Sequence, residues 1–116
     1  MSWLLFSLLL IQDARAPAAQ PRTEAALYDW YRCLFGSVRS TADEPDAPER
    51  IAQGAFGQCS DKEGNLRIAV RMESARRDRE ATQRQVETYK AQAAPKVLAF
   101  VLDVRRIRAR TSREGN

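Results

Sequence analysis

The chain has 116 residues, 44% hydrophobic, with 19 basic and 15 acidic side chains and a formal net charge of +4. That length holds one small domain, whose core is modest enough for a covalent staple to matter. Histidine is absent, which removes the commonest general base, the commonest metal ligand and the usual partner of a serine or cysteine nucleophile.

Residues 3–11 are apolar except for Ser7. A bilayer-spanning helix needs about 20 apolar residues, whereas the apolar region of a secretory signal needs roughly 7–15. The stretch suits the second and is too short for the first. Small residues follow: Ala16-Pro17-Ala18 allows a cut before Ala19, and Pro17-Ala18-Ala19 a cut before Gln20. Only the α-amino group charges the segment ahead of it. The expectation is a signal peptide over 1–18, cleavage near Ala18/Ala19, and secretion or periplasmic residence of a single small helical domain, 19–116, with a basic C-terminal tail. A buried N-terminal helix and an uncleaved interfacial anchor are the competing readings.

Export decides how Cys33 and Cys59 are read. Two cysteines in an oxidising compartment are most simply one disulfide. It would close a loop of about 27 residues, worth roughly 3.5 kcal/mol on the chain-entropy argument. The spacing is far from Cys-x-x-Cys, and two cysteines without histidine cannot complete a zinc site.

Residues 23–40 predict a helix. Thr23 suits an N-cap, Glu24 favours the positive end of the helix dipole, and Leu27, Tyr31, Leu34 and Val38 recur as one apolar stripe. Trp30 and Cys33 lie beside it, and the aromatic residues Trp30, Tyr31 and Phe35 are read as core. The segment "TADEPDAP" is a loop. It ends in Asp46-Ala47-Pro48-Glu49, which has capping-box spacing with an early proline. Residues 47–59 then place Ile51, Ala55 and Cys59 on one face, with Ala52 and Phe56 adjoining. Gly54 and Gly57 each cost that helix about 1 kcal/mol relative to alanine, unless they admit a close neighbour. These two helices make an αα-hairpin. Counted from the loop, the cysteines differ in depth by roughly 9 Å, while a disulfide needs Cα atoms within about 7 Å. That is the weakest joint of the pairing.

Ser60-Asp61-Lys62-Glu63 has capping-box spacing, and residues 66–93 predict a long charged helix. Leu66, Ala69 and Met72 form one apolar patch, and Val86, Tyr89 and Ala93 another. Between them "ESARRDREATQRQ" is held by i, i+4 pairs such as Glu73–Arg77, Arg76–Glu80 and Glu80–Arg84. Pro95 breaks or kinks the helix. In 97–108, Val97, Phe100, Val101, Val104 and Arg108 share a helical face. A buried strand over 97–104 competes, because valine is abundant, but no second strand is visible to pair with it. The fold class expected is all-α: a small bundle of an αα-hairpin, a long charged helix and a C-terminal helix kinked at Pro95, ending in a frayed basic tail.

Charge is uneven: residues 19–65 are net acidic and residues 66–116 strongly basic. Arg105, Arg106, Arg108, Arg110 and Arg113 are the candidate anion-binding residues, because guanidinium groups grip phosphate and carboxylate bidentately. The carboxylates Asp43, Glu44 and Asp46 sit in a loop without calcium-loop spacing or an apolar pocket, and "GAFG" lacks phosphate-loop spacing. No catalytic, cofactor or metal site is expected, so the chain is read as a non-enzyme.

The expected function is a small exported, non-catalytic binding or interaction protein of the cell envelope. Its partner would be an unknown protein, an anionic envelope component or a second copy. Nucleic acid is disfavoured by export and by the lack of interleaved aromatics. The alternative is a peripheral membrane-surface protein that binds anionic lipid through the arginine-rich C-terminus. The general plan is similar to that of many small exported helical proteins of bacteria, in architecture alone.

Overall fold

The computed structural model describes residues 20–74 and 78–115. The expected signal segment and its cleavage site lie outside the described residues. The described residues form an all-α bundle of four helices: α1 (Pro21–Thr41), α2 (Pro48–Gln58), α3 (Ser60–Glu73) and α4 (Arg79–Glu114). The described residues contain no strand.

α1 starts at a proline, whose fixed φ suits the first turn, and carries Glu24 near its start and Arg39 near its end, both favourable to the helix dipole. It buries Trp30, Leu34 and Val38. Thr23 is not its cap; it lies within the first turn, buried, and Gln20 precedes the helix without a side-chain cap. The missing acceptor comes from the far end of α3. Glu73 accepts the backbone N–H of Arg22 at 2.6 Å through Oε1, and through Oε2 that of Thr23 at 3.3 Å and its hydroxyl at 3.2 Å. Orphan N–H groups of one helix are thus satisfied by a carboxylate from another.

The two capping boxes do not form. Ala47 and Cys59 occupy the N-cap positions of α2 and α3, and neither helix has a side-chain cap. Glu63 instead faces Lys90 at 3.2 Å and Arg67 at 3.4 Å. Gly54 and Gly57 mark no close approach, since a Cβ at either would meet nothing within 4 Å. α2 and α3 touch each other little and follow one another along α1, hinged at Cys59.

The helix expected over 66–93 is two helices. Ser74 leaves α3 in extended conformation, and Asp78 caps α4 by accepting the Ala81 N–H at 2.6 Å. Local charge pairing argued for continuity. Turning back, however, buries Val86 and Ala93 and brings α4 against α1, α2 and α3, which a straight helix would forgo.

Pro95 does not end α4, which runs through it for 36 residues. The proline is exposed, and so is Ala91, whose carbonyl loses its intrahelical donor to the ring. Water can serve that oxygen. Val86, Ala93, Val97, Val101 and Val104 stay in register on one buried face. Each valine stabilises by about 1.5–3 kcal/mol, and together they outweigh the roughly 3 kcal/mol penalty of an interior proline. The valine-rich segment is therefore helix, and so is the tail expected to fray.

The core gathers Trp30, Leu34 and Val38 of α1, Ile51 and Ala55 of α2, Leu66 and Val70 of α3 and Val97, Val101 and Val104 of α4. Trp30 packs on Phe56 with ring centroids 5.9 Å apart, and Phe35 meets Phe100 edge-on at 4.7 Å. Trp30, Tyr31 and Phe35 of α1 serve packing.

Candidate functional site

Cys33 and Cys59 stand at disulfide distance, with their sulfurs 2.12 Å and their Cα atoms 5.9 Å apart. The depth mismatch closes because α2 starts only at Pro48, after a loop, and Cys59 is the hinge residue itself. The remaining offset along the axes is about three residues, or roughly 4.5 Å. Cys59 is 1% exposed, so the pair ties α1 to the α2–α3 joint from inside. Beside it Asp29, Arg32, Cys33 and Lys62 line a recess of about 260 Å³ of mixed charge.

The five candidate arginines divide by what holds them. Arg105 donates through Nε to the carbonyl of Ala42 at 2.8 Å and through Nη2 to those of Glu44 at 2.9 Å and Asp46 at 2.6 Å. Arg108 pairs with Asp43 at 2.6 Å and donates to the Arg39 carbonyl at 2.8 Å. These two bind the chain's own loop, which makes them structural clasps. Arg106 pairs with Asp103 one turn back, on the surface. Arg110 and Arg113 are exposed, and no described residue pairs with them. Leu102, Arg106, Arg110 and Arg113 recur at i, i+4, i+8 and i+11, so the free cations share an outer face of α4 with an exposed leucine.

A second basic cluster escaped the sequence reading. Arg67 and Arg71 of α3 and Arg79 of α4 line a recess of about 330 Å³ with Thr82 and Gln83. A continuous helix over 66–93 would string these arginines along its length. The break at 74–78 brings them to one place, and Asp78 as an N-cap was the signal that would have located it.

No group of acidic, cysteine or histidine side chains among the described residues is arranged to hold a metal ion. No described helix is long and apolar enough to cross a membrane. No protein-family model matches the chain, and neither a curated protein nor a solved structure is detectably similar to it.

Proposed function

We propose that the chain is a small exported binding protein of the cell envelope, stapled by Cys33–Cys59, that acts without catalysing a reaction. The observation that carries this reading is the placement of the two cysteines. They meet at bonding distance across the hinge of the bundle, with Cys59 enclosed. A linkage in that position restrains packed helices, and such linkages persist in oxidising compartments. The apolar stretch over 3–11, followed by small residues, supplies a route to one. The surface offered to a partner is the outer face of α4 past Arg108, where Arg110 and Arg113 are free for an anionic group.

Expression of the full chain in a bacterial host tests this reading, with cell fractionation and intact mass. The expected product is exported, begins near Ala19 or Gln20, and weighs 2 Da less than its reduced form, as expected for one disulfide. A cytosolic product that retains Met1 and both free thiols overturns it.

A second reading is binding at an anionic membrane surface. It is favoured by Leu102, 50% exposed, on the same face of α4 as the free Arg110 and Arg113. Sedimentation with phosphatidylglycerol vesicles that weakens with salt and is lost in R110A/R113A supports it. Sedimentation that does not differ from phosphatidylcholine vesicles excludes it.

A further inference from the structure

We propose that the recess between the C-terminal half of α3 and the first turn of α4 binds a phosphate- or sulfate-bearing anion through Arg67, Arg71 and Arg79. Three arginines from two packed helices line it, with no carboxylate among the lining residues. Two acidic side chains of these helices already have partners, and Glu63 offsets part of the charge of Arg67. Glu63 divides its charge between Arg67 and Lys90, one on each oxygen. Asp78 turns its carboxylate onto the Ala81 N–H. Arg71 and Arg79 have neither an ion pair nor a hydrogen bond with any described residue. Of the residues that join the two helices, Ser74 to Asp78, Asp78 is the only acidic one, against two further arginines in the sequence.

Such clustering is unfavourable by itself. Like charges across packed helices repel, and the repulsion is relieved when an anion sits among them. The guanidinium fork suits a tetrahedral oxyanion, because it offers paired donors at the spacing of two oxygens. Arg67 is steadied for the task by Gln83, whose Oε1 accepts from its Nη2 at 3.2 Å. The recess also opens beside the N-terminal end of α4, where the helix dipole favours negative charge. Its volume of about 330 Å³ exceeds that of several waters, each about 30 Å³, and therefore admits a phosphate ester as well as the bare ion. A soluble ester and a lipid headgroup present the same chemistry here. The site lies at the opposite end of α4 from Arg110 and Arg113.

The test is titration of the full chain with inorganic phosphate at constant ionic strength, read by calorimetry, alongside sedimentation with phosphatidylglycerol and phosphatidylcholine vesicles. Saturable phosphate binding is expected. R71A and R79A should each weaken it about tenfold or more, the loss of a charge-assisted contact, with helical circular dichroism unchanged. R50A, at an exposed position on α2 away from the recess, should alter it less than twofold. Phosphate binding without a preference for phosphatidylglycerol vesicles supports the site with a soluble ester as ligand. Vesicle binding that phosphate competes away, and that R71A/R79A abolishes, supports it with a lipid headgroup. Absence of saturable phosphate binding, or phosphate binding that survives R71A/R79A unchanged, overturns the proposal.

Discussion

Arg105, near the end of the last helix, holds the carbonyl oxygen of Ala42, just past the end of the first, at 2.8 Å. The same guanidinium reaches the carbonyls of Glu44 and Asp46. One side chain thereby satisfies three backbone acceptors of the acidic loop and fixes where α2 begins. Replacement by alanine leaves those carbonyls to solvent and lets the loop loosen. Arg105→Ala should cost about 1.5–3 kcal/mol in urea unfolding, and Arg105→Lys should recover only part of it, since an ammonium lacks the planar fork. Arg110→Ala should stay within about 0.5 kcal/mol. Equal effects at the two positions would mean that the clasp contributes nothing.

Glu73 does for the start of α1 what a local cap would ordinarily do. Glu73→Ala should cost about 1–2 kcal/mol, in the range of a lost N-cap, and should speed amide exchange in the first turn of α1. Glu73→Gln keeps the acceptor but not the charge and should fall between. Uniform exchange rates in wild type and Glu73→Ala would refute the tertiary cap.

The Cys33–Cys59 linkage closes a loop with a sequence separation of 26. C33A/C59A should be less stable by roughly 3–4 kcal/mol, chiefly through a freer unfolded chain. Reduction of the wild type should give a similar loss, measured by guanidinium denaturation with and without reductant. If reductant leaves the midpoint unmoved, the linkage is absent from the protein in solution.

Pro95 sits inside α4 on its exposed side. Pro95→Ala restores a backbone N–H for the Ala91 carbonyl and removes the ring clash. The variant should therefore be more stable, by about 1–3 kcal/mol, with a higher thermal midpoint. A loss of stability would show that the packing of α4 depends on the distortion that proline brings.

Much of the fold was legible from local pattern. The stripe containing Leu34 and Val38, the proline-bearing loop after Thr41 and the run from Ile51 to Cys59 all announce themselves within a turn or two, because amphipathic spacing and proline act over short range. Capping was misjudged for the same reason. Thr23, Asp46 and Ser60 have the right chemistry near helix starts, yet α1 takes its acceptor from Glu73, 50 residues away, and sequence spacing is blind to such partners. The arginines illustrate the point again. Arg105 and Arg110 look equivalent in the tail, and only the approach of the acidic loop makes one a clasp and leaves the other free.

Composition and periodicity alone determined that this chain is predominantly helical and that valine-rich 97–108 carries a broad apolar face. Those properties follow from side-chain hydrophobicity and helical repeat, which each segment carries within itself. Tertiary structure alone decided where the long charged segment folds back, whether Pro95 interrupts it, and which arginines meet in one recess. Each of those outcomes balances a local cost, a broken turn or a missing hydrogen bond, against burial supplied by residues distant in the chain, and the larger buried surface prevails.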